Sequence, residues 1–307
     1  MAQTILGLDI GGANLKAATP DKRAASVPFA LWKQPDRLPA ALAELVGKFP
    51  DAEELAVTMT GELCDCYETK RDGVNAIIKA IRFASGGRRI RVWSTDGAFL
   101  DSEEAKRNHL KVASANWHAL ATLAGQYVPE GPATLIDIGS TTTDIIPILD
   151  GIPIPQGRTD PERLVHGELL YTGVRRTPVV ALVGVVEKLA AEVFATTLDV
   201  YLLLGWIAED AADRNTADGR PATKAAAEAR LARMLCADLE TSTAKEREKL
   251  AQRVLLKQIY TLTGAVERVA RRLPQPPRTV IVAGEGEFLA RPLLEQQEAI
   301  PPATWCS

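Results

Sequence analysis

The stretch Thr4-Ile5-Leu6-Gly7-Leu8-Asp9-Ile10-Gly11-Gly12 opens the chain with an apolar run that ends in an aspartate and two glycines. Residues 14–19 alternate again, which predicts a strand, a tight turn and a second strand. The stretch 133–140 repeats this pattern, with an apolar run that leads into Asp137-Ile138-Gly139-Ser140 and an alternating segment after it. One copy alone is also how an ordinary hairpin is built. Two copies that open the two halves of one chain are much harder to obtain from turn chemistry.

The residues of both copies suit a phosphate group. Glycines can aim successive backbone N–H groups at phosphate oxygens, and hydroxyl side chains add further donors. Aspartates at the two strand ends can hold a hydrated Mg²⁺ between them. The predicted phosphate-binding residues are Gly11, Gly12, Asn14, Gly139, Ser140, Thr141, Thr142 and Thr143. The predicted metal ligands are Asp9 and Asp137.

The length of the chain predicts two domains. A chain of 307 residues is longer than one hydrophobic core usually serves. The segment Pro129-Glu130-Gly131-Pro132 breaks the chain just before the second copy of the motif. We therefore expect a first α/β domain over 1–130 and a second α/β domain with a helical insertion over 131–307.

The charge of the chain favours small-molecule chemistry. The net charge is −3, from 36 basic and 39 acidic residues, so no general field attracts nucleic acid or an anionic membrane. The most apolar stretch, Val179 to Ile207, contains several charged residues, whereas a membrane-spanning helix needs about 20 nearly uncharged ones. Met1-Ala2-Gln3 leads into the first strand without the basic segment and cleavage site of a secretory leader, so we do not expect export. We expect a cytoplasmic protein that binds a small phosphorylated substrate, with no nucleic-acid or membrane partner; a homodimer is left open.

The cysteines favour the same compartment. The chain has four, at uneven spacing, which fits free thiols in a reducing environment better than a disulfide framework. Cys64 and Cys66 have no second Cys or His pair near them in sequence, so plain packing is favoured over a zinc site.

The paired loops resemble those of the superfamily that contains acetate and sugar kinases, heat-shock ATPases and actin. A third element of that superfamily is an apolar strand that leads to a Gly-x-Gly turn under the adenosine, and 281–286 matches it. The resemblance implies two ribonuclease-H-like α/β domains around a central cleft, with Asp9 and Asp137 facing that cleft. It also implies nucleotide or substrate binding by Gly284, Glu285 and Gly286.

Five further segments are similar to the hydantoinase A/oxoprolinase relatives of tetrahydromethanopterin-linked one-carbon metabolism. They are Thr58 to Asp65, Ser114 to Trp117, His166 to Pro178, Thr196 to Tyr201 and Ala217 to Arg220. Archaeal members of that group are synthases of the methanofuran pathway, which join an aminomethyl-furanyl-methyl diphosphate to the phenol oxygen of a γ-glutamyl-tyramine. The resemblance therefore implies an Mg²⁺-dependent transferase that releases diphosphate. ATP binding is left open, and ATP hydrolysis is not expected.

Under this resemblance the site residues divide into those near the reacting bond and those that hold the substrate. The candidate catalytic residues are Asp9, Asp137, Lys16, His166 and Arg175. The candidate substrate- or nucleotide-binding residues outside the loops are Gly61, Glu62, Asp65 and Asn116, together with the Gly-x-Gly turn. Lys16 and Arg175 or Arg176 would neutralise leaving oxygens. A general base is needed only weakly, and Asp65, Glu62, His166 and Glu168 are the available groups.

Two alternatives remain open at this point. The first is an ATP-dependent small-molecule kinase or an ATPase subunit of the hydantoinase/oxoprolinase type, and the second is a nucleotide-sensing scaffold like actin. One departure from the superfamily pattern concerns the tail. Members usually continue past the Gly-x-Gly turn with a helix, whereas 292–307 is polar and rich in proline.

Overall fold

The structure, a computed structural model, describes residues 4–184, 188–295 and 304–306. The chain divides into two compact units, of which the first comprises Met1–Tyr127 with Gln156–Glu162 and the second Val128–Pro155 with Arg163–Ser307. The sequence placed 156–162 in the second domain. That segment packs with the first unit because Arg158 Nη1 donates to the Thr95 carbonyl oxygen at 2.7 Å, and the Lys70 ammonium lies 3.6 Å from the Asp160 carboxylate.

The first unit is one sheet with helices. Its strands are β1 (Ile5–Ile10), β2 (Asn14–Ala18), β3 (Ala24–Pro28), β4 (Glu54–Met59), β5 (Arg89–Trp93) and β6 (Phe99–Leu100), in the order β3-β2-β1-β4-β5-β6. Its helices are α1 (Leu38–Gly47), α2 (Lys70–Ala84), α3 (Ser102–Arg107), α4 (His109–Val112) and α5 (Asn116–Gly125), and α6 (Asp160–His166) begins in it. β1 pairs antiparallel with β2, as the first motif predicts, and parallel with β4.

The period of two along β1 decides which residues reach the core. Leu6, Leu8 and Ile10 are buried in one hydrophobic cluster with the apolar faces of α1 and α2. Gly7 and Asp9 therefore lie on the opposite face of the sheet, because successive side chains of a strand alternate. The strand thus packs by one face and presents an aspartate on the other.

The second unit repeats the arrangement. Its strands are β7 (Pro132–Ile138), β8 (Thr143–Leu149), β9 (Ile152–Pro153), β10 (Leu169–Leu170), β11 (Thr279–Ala283) and β12 (Thr304–Cys306), in the order β10-β8-β7-β11-β12 with β9 on β8. Its further helices are α7 (Val179–Val183), α8 (Thr197–Leu204), α9 (Lys224–Met234), α10 (Ala244–Ala270) and α11 (Ala290–Glu295). β7 is antiparallel to β8 and parallel to β11, as β1 is to β2 and β4. The α/β architecture with two related sheets is confirmed.

The tail begins with a helix, although its sequence is polar and rich in proline. The helix α11 runs through Pro292, which stands in its first turn, where a missing N–H removes no intrahelical hydrogen bond. The backbone of β12 then pairs parallel with β11. Residues 296–303, residue 307 and the side chain of Cys306 lie outside the described part. The thiols of Cys64, Cys66 and Cys236 are free.

The described part of the long apolar segment of the second unit contains two short helices, Val179–Val183 and Thr197–Leu204. Within 4–184 and 188–295, no helix combines the length and the apolar character that a bilayer crossing requires. The residues of α7, α8 and α10 instead contribute to one hydrophobic cluster with β7 and β11.

A buried ion-pair network joins the helices of the second unit. Arg230 Nε donates to Asp199 Oδ1 at 2.7 Å, and Arg230 Nη1 donates to Asp218 Oδ1 at 2.9 Å. Asp199 also accepts the Thr196 backbone N–H at 2.9 Å and so caps α8. Two of the segments that carry the family resemblance, those around Asp199 and Asp218, therefore build the helical part of the unit. Burial of a charge is tolerated only when it is paired in this way.

Asp218 of this network makes the second unit sensitive to acid. Burial alone would raise the pKa of Asp218, but hydrogen bonds from Arg220 and Arg230 outweigh burial and lower the pKa to about 2, below the usual 3.8. The folded state therefore gains stability that is complete above pH 4 and is lost as the pH falls toward 2. We expect Asp218→Asn to remove roughly 2 kcal/mol of unfolding free energy at neutral pH and to flatten the acid limb. Urea unfolding followed by circular dichroism between pH 2 and 6 measures both effects, and acid limbs that coincide for the two proteins would contradict the assignment.

Candidate functional site

The first loop closes directly after β1. The Gly11 N–H donates to the Asn14 carbonyl oxygen at 3.0 Å and forms the turn into β2. The N–H groups of Thr60 and Gly61 both donate to the carbonyl oxygen of Ile10, at 2.9 and 3.0 Å. The loop after β4 is thereby held against the loop after β1, and the predicted residues Gly11, Gly12, Asn14 and Gly61 lie at one edge of the sheet.

Asp9 is half-buried between two polar neighbours on adjacent strands. The register places Lys16 of β2 on one side of it and Thr58 of β4 on the other. Thr58 Oγ1 donates to Asp9 Oδ1 at 3.2 Å. Burial raises the pKa of Asp9, while the Lys16 charge and the Thr58 hydrogen bond act in the opposite direction. The structure therefore brings together two of the candidate catalytic residues, Asp9 and Lys16.

The second loop closes with the same backbone hydrogen bond as the first but has different charged neighbours. The Gly139 N–H donates to the Thr142 carbonyl oxygen at 2.8 Å and closes the turn. The cross-strand partner of Asp137 on β8 is Asp144, at the position that Lys16 occupies in the first copy. The Asp144 carboxylate forms an ion pair with the buried guanidinium of Arg163. An arginine from another element thus supplies the positive charge near this aspartate.

Arg163 was not among the predicted residues, although the sequence holds a signal for it. Aligning the two copies of the motif puts Asp144 opposite Asp137, and two neighbouring carboxylates on a buried sheet need a cation. Which of the arginines supplies it depends on the packing of α6 and could not be read from the sequence.

A second segment covers the loop after β7. The N–H of Val174 donates to the Gly139 carbonyl oxygen, and the N–H groups of Arg175 and Arg176 donate to that of Ser140, each at 3.0 Å. Gly173 lies so close that a Cβ atom there would stand 2.4 Å from the Gly139 carbonyl oxygen and 2.6 Å from the Thr141 nitrogen. Only a glycine fits this contact.

A buried polar network fixes Gly173. Gln258 of α10 donates from Nε2 to the Thr172 hydroxyl at 2.8 Å and to the Gly173 carbonyl oxygen at 3.0 Å. The Tyr201 hydroxyl of α8 donates to Gln258 Oε1. Sequence reasoning missed Gly173 and Gln258. The available signal was a glutamine on the apolar stripe of a long helix, where a polar side chain is expected to have a specific partner.

The predicted Gly-x-Gly turn lies directly against Asp137. Gly284 has a φ of +92°, and a Cβ atom there would stand 2.5 Å from Asp137 Oδ1. The Gly286 N–H donates to the Ile138 carbonyl oxygen at 2.9 Å. Glu285 between the two glycines is exposed. The turn therefore relates to the second loop as Gly61 relates to the first.

Glu62 is, like Glu168, a predicted acidic residue that is fully buried. Its side chain is 0% exposed, Oε1 accepts the Ser114 hydroxyl at 2.9 Å, and Oε2 has no hydrogen-bond partner. Burial raises the pKa of Glu62. The bond to Ser114 ties the loop after β4 to the start of α5 at Asn116, while Asp65 is exposed in the turn that follows.

Of two further predicted catalytic residues, Arg175 has a side-chain partner elsewhere, and His166 is held through its backbone. The Arg175 guanidinium forms an ion pair with Asp213. His166 ends α6, and its carbonyl oxygen accepts from Arg272. In the part of the chain that the structure describes, no three His, Cys, Asp or Glu side chains cluster as a metal site would require. Roles for Arg175, His166 and an Mg²⁺ on Asp9 and Asp137 stay predictions.

Two sheets, each with a loop after its central strand and a second loop held against it, define the actin-like fold of ATPases and sugar kinases. A likeness of fold is found with acetone carboxylase in its nucleotide-free form, at a TM-score of 0.55 and 11% identity over 92% of this chain and 65% of that one.

The family model for hydantoinase/oxoprolinase matches residues 53–301, and the chain belongs to that family. A relative from Methanocaldococcus jannaschii, (4-{4-[2-(gamma-L-glutamylamino)ethyl]phenoxymethyl}furan-2-yl)methanamine synthase, is 35% identical over 96% of this chain and 90% of its own length. A synthase of the same name from Methanococcus vannielii is 34% identical over 53% of this chain and 74% of its own. The resemblance expected from the sequence is confirmed.

The close contact at Gly173 leads to a prediction with a matched control. We expect Gly173→Ala to push the segment off the Gly139 loop and to weaken the binding of inorganic diphosphate with Mg²⁺ at least tenfold. Gly264→Ala is the control, because nothing lies within 4 Å of a Cβ atom at that position of α10. It should leave binding unchanged and stabilise the helix by up to about 1 kcal/mol. Calorimetric titration and thermal unfolding measure these outcomes; wild-type affinity in Gly173→Ala would show that the contact does not shape the loop.

Proposed function

We propose that the protein transfers an aminomethyl-furanyl-methyl group from its diphosphate to the phenol oxygen of a glutamyl-tyramine or tyrosine-type acceptor, in the synthesis of a methanofuran-type cofactor. The observation that carries the proposal is the 35% identity over 96% of the chain to a synthase whose product name contains the phenoxymethyl-furan ether. Identity at that level over nearly the full length is far above what a shared fold alone requires.

The chemistry needs little from the protein beyond charge and position. The bond from the phenol oxygen to the furanyl methylene carbon forms, the bond from that carbon to the diphosphate oxygen breaks, and the leaving diphosphate keeps the electron pair. The phenol releases its proton to water, since a general base is needed only weakly. A carbon conjugated to a furan ring ionises easily once the leaving oxygens are neutralised, so stabilisation of developing negative charge is the main task.

The residues of the two loops suit that task. Lys16 provides an ammonium group next to Asp9, and the Arg163 guanidinium offsets the carboxylate of Asp144 beside Asp137. The backbone N–H groups of glycine-rich loops complete a cradle for anionic oxygens. In this proposal the loops that hold ATP in kinases hold the leaving diphosphate.

Magnesium is part of the proposal as a partner of the diphosphate. Asp9 and Asp137 would hold the ion, since Mg²⁺ is commonly bound by one or two carboxylates together with phosphate oxygens and waters. Thr58 donates to Asp9 Oδ1, and that bond holds the carboxylate in one orientation. When bound, the ion supplies further neutralisation of the leaving oxygens.

The role of Asp137 can be tested by Asp137→Asn, which keeps the shape of the side chain and removes its charge. We expect turnover of the furan diphosphate to fall about a hundredfold or more, because the lost contact acts on charge that builds up as the bond breaks. Asp150→Asn is the matched control. It makes the same chemical change in an exposed turn next to the other end of β7, where the Asp150 carboxylate accepts the Gly131 N–H. Equal turnover in the two variants would remove Asp137 from the site.

The nature of the leaving group separates the proposal from the kinase alternative. Inorganic diphosphate with Mg²⁺ should inhibit competitively against the furan diphosphate, and ATP should yield no ADP. Diphosphate release and ADP release are measured on one preparation. Robust ADP formation that depends on a small hydroxylated or carboxylated substrate, without turnover of the furan diphosphate, would overturn the proposal in favour of the kinase.

A further inference from the structure

The first unit contains a cavity of about 680 Å³ on the sheet face opposite its α1 and α2 core. Strands β1 to β4 form its floor. Its walls are Trp93, Phe99 and the side of α5 that carries Ala119, Thr122 and Leu123. A concave, mainly apolar space of this size with a few polar groups is the usual form of a small-molecule site.

The first part of the floor is a row of very small residues. The strand register aligns them as direct neighbours across four strands, in the order Ala24 of β3, Ala18 of β2, Gly7 of β1 and Ala56 of β4. All four line the cavity. A larger side chain at any of these positions would project into the space, so the row creates a flat apolar floor. We name it the alanine row.

The second part of the floor is polar. The next residues on the same face of the sheet form a second row, two positions from the alanine row on every strand. In the same strand order these residues are Ser26, Lys16, Asp9 and Thr58. These four residues also line the cavity. We name them the polar row. The cavity floor is therefore apolar at one end and carries one carboxylate and one ammonium group at the other.

The walls are shaped for a ring. The rings of Trp93 and Phe99 meet edge to face, with centroids 4.8 Å apart, and Trp93 Nε1 donates to His118 Nδ1 at 3.3 Å, which fixes the indole. Phe99 and Leu123 are 44% and 49% exposed, so the described residues of this unit leave apolar surface uncovered at the rim. Fixed aromatic edges above a flat apolar floor favour a flat aromatic ligand over a flexible aliphatic one.

We propose that this cavity binds the phenol ring of the acceptor, with the ring over the alanine row and the phenol oxygen at the polar row. The proposal rests on the proposed function and assigns one of its two substrates to the first unit. A phenol matches both parts of the floor, because it presents an apolar ring and a single polar atom at one end.

The order of residues along β1 favours the phenol over the furan diphosphate as the occupant. Along β1, two residues span about 7 Å, which is the distance along the strand from Gly7 to Asp9. The loop glycine Gly11 follows two residues after Asp9. A ring over Gly7 places its oxygen near Asp9, between the ring and the loop proposed to hold the diphosphate. The reacting oxygen then faces the leaving group. A diphosphate over the alanine row would instead lie on an apolar floor that offers it no charged side chain.

The decisive variants fill the alanine row. Ala18 and Ala24 are both exposed, so Ala18→Phe and Ala24→Phe can be introduced without crowding the α1 and α2 core. Ala40→Phe on the exposed side of α1 is the control for a surface phenylalanine in the same unit. We expect the first two variants to weaken the binding of tyramine at least tenfold by calorimetry, with inorganic diphosphate affinity unchanged. Ala40→Phe should bind both probes as the wild type does.

A second arm tests the orientation of the ring. Phenethylamine, which lacks the hydroxyl group, should bind more weakly than tyramine, since the polar row is then left without a partner. Tyramine that binds wild type and both row variants equally, or does not bind wild type at all, would overturn the cavity assignment. Equal affinity for the two amines would overturn the proposed orientation. Diphosphate release from the furan substrate tests the proposed function separately, so each idea can fail while the other stands.

Discussion

Both sheets depend on hydrogen bonds that join the end of a central strand to the loop after its parallel neighbour. The Ile10 carbonyl oxygen accepts from Thr60 and Gly61, and the Ile138 carbonyl oxygen accepts from Gly286. Ile10 and Ile138 each precede a loop glycine, so these bonds fix two backbone loops side by side. Ordering two loops costs conformational entropy, which the apolar packing of the same strands on their other side offsets. Alternate residues of the same strands therefore face the core and the site edge.

The two copies of the motif have the same backbone hydrogen bonding but differ in the charged residues beside their aspartates. Asp9 has a lysine as its neighbour on the next strand, whereas Asp137 has Asp144, whose carboxylate is paired with Arg163. The first unit thus offers an exposed ammonium group at its loop, and the second offers a buried guanidinium. A duplicated fold has acquired two unlike halves, and the cavity with its alanine row belongs to the first alone.

The segments that carry the family resemblance divide by purpose. Residues 172–177 cover the loop after β7 and are held by Gln258 and Tyr201, so they act on the site. The segments around Asp199 and Asp218 form a buried ion-pair network that assembles helices. A resemblance between sequences does not separate residues that shape the site from residues that assemble the helices, because either role can keep a residue the same in relatives. Contacts separate them.

The sequence by itself determined the two strand–loop–strand copies, the α/β class, the placement of Asp9 and Asp137 at strand ends and the family, because these follow from local periodicity and short motifs. Only the tertiary structure decided which residues support the loops. Arg163 reaches Asp144 through the packing of α6, and Gln258 reaches Gly173 across 85 positions of the chain. The alanine row likewise arises from the register of four strands, which no local pattern encodes, since small residues in separate segments become one floor only when the strands are aligned.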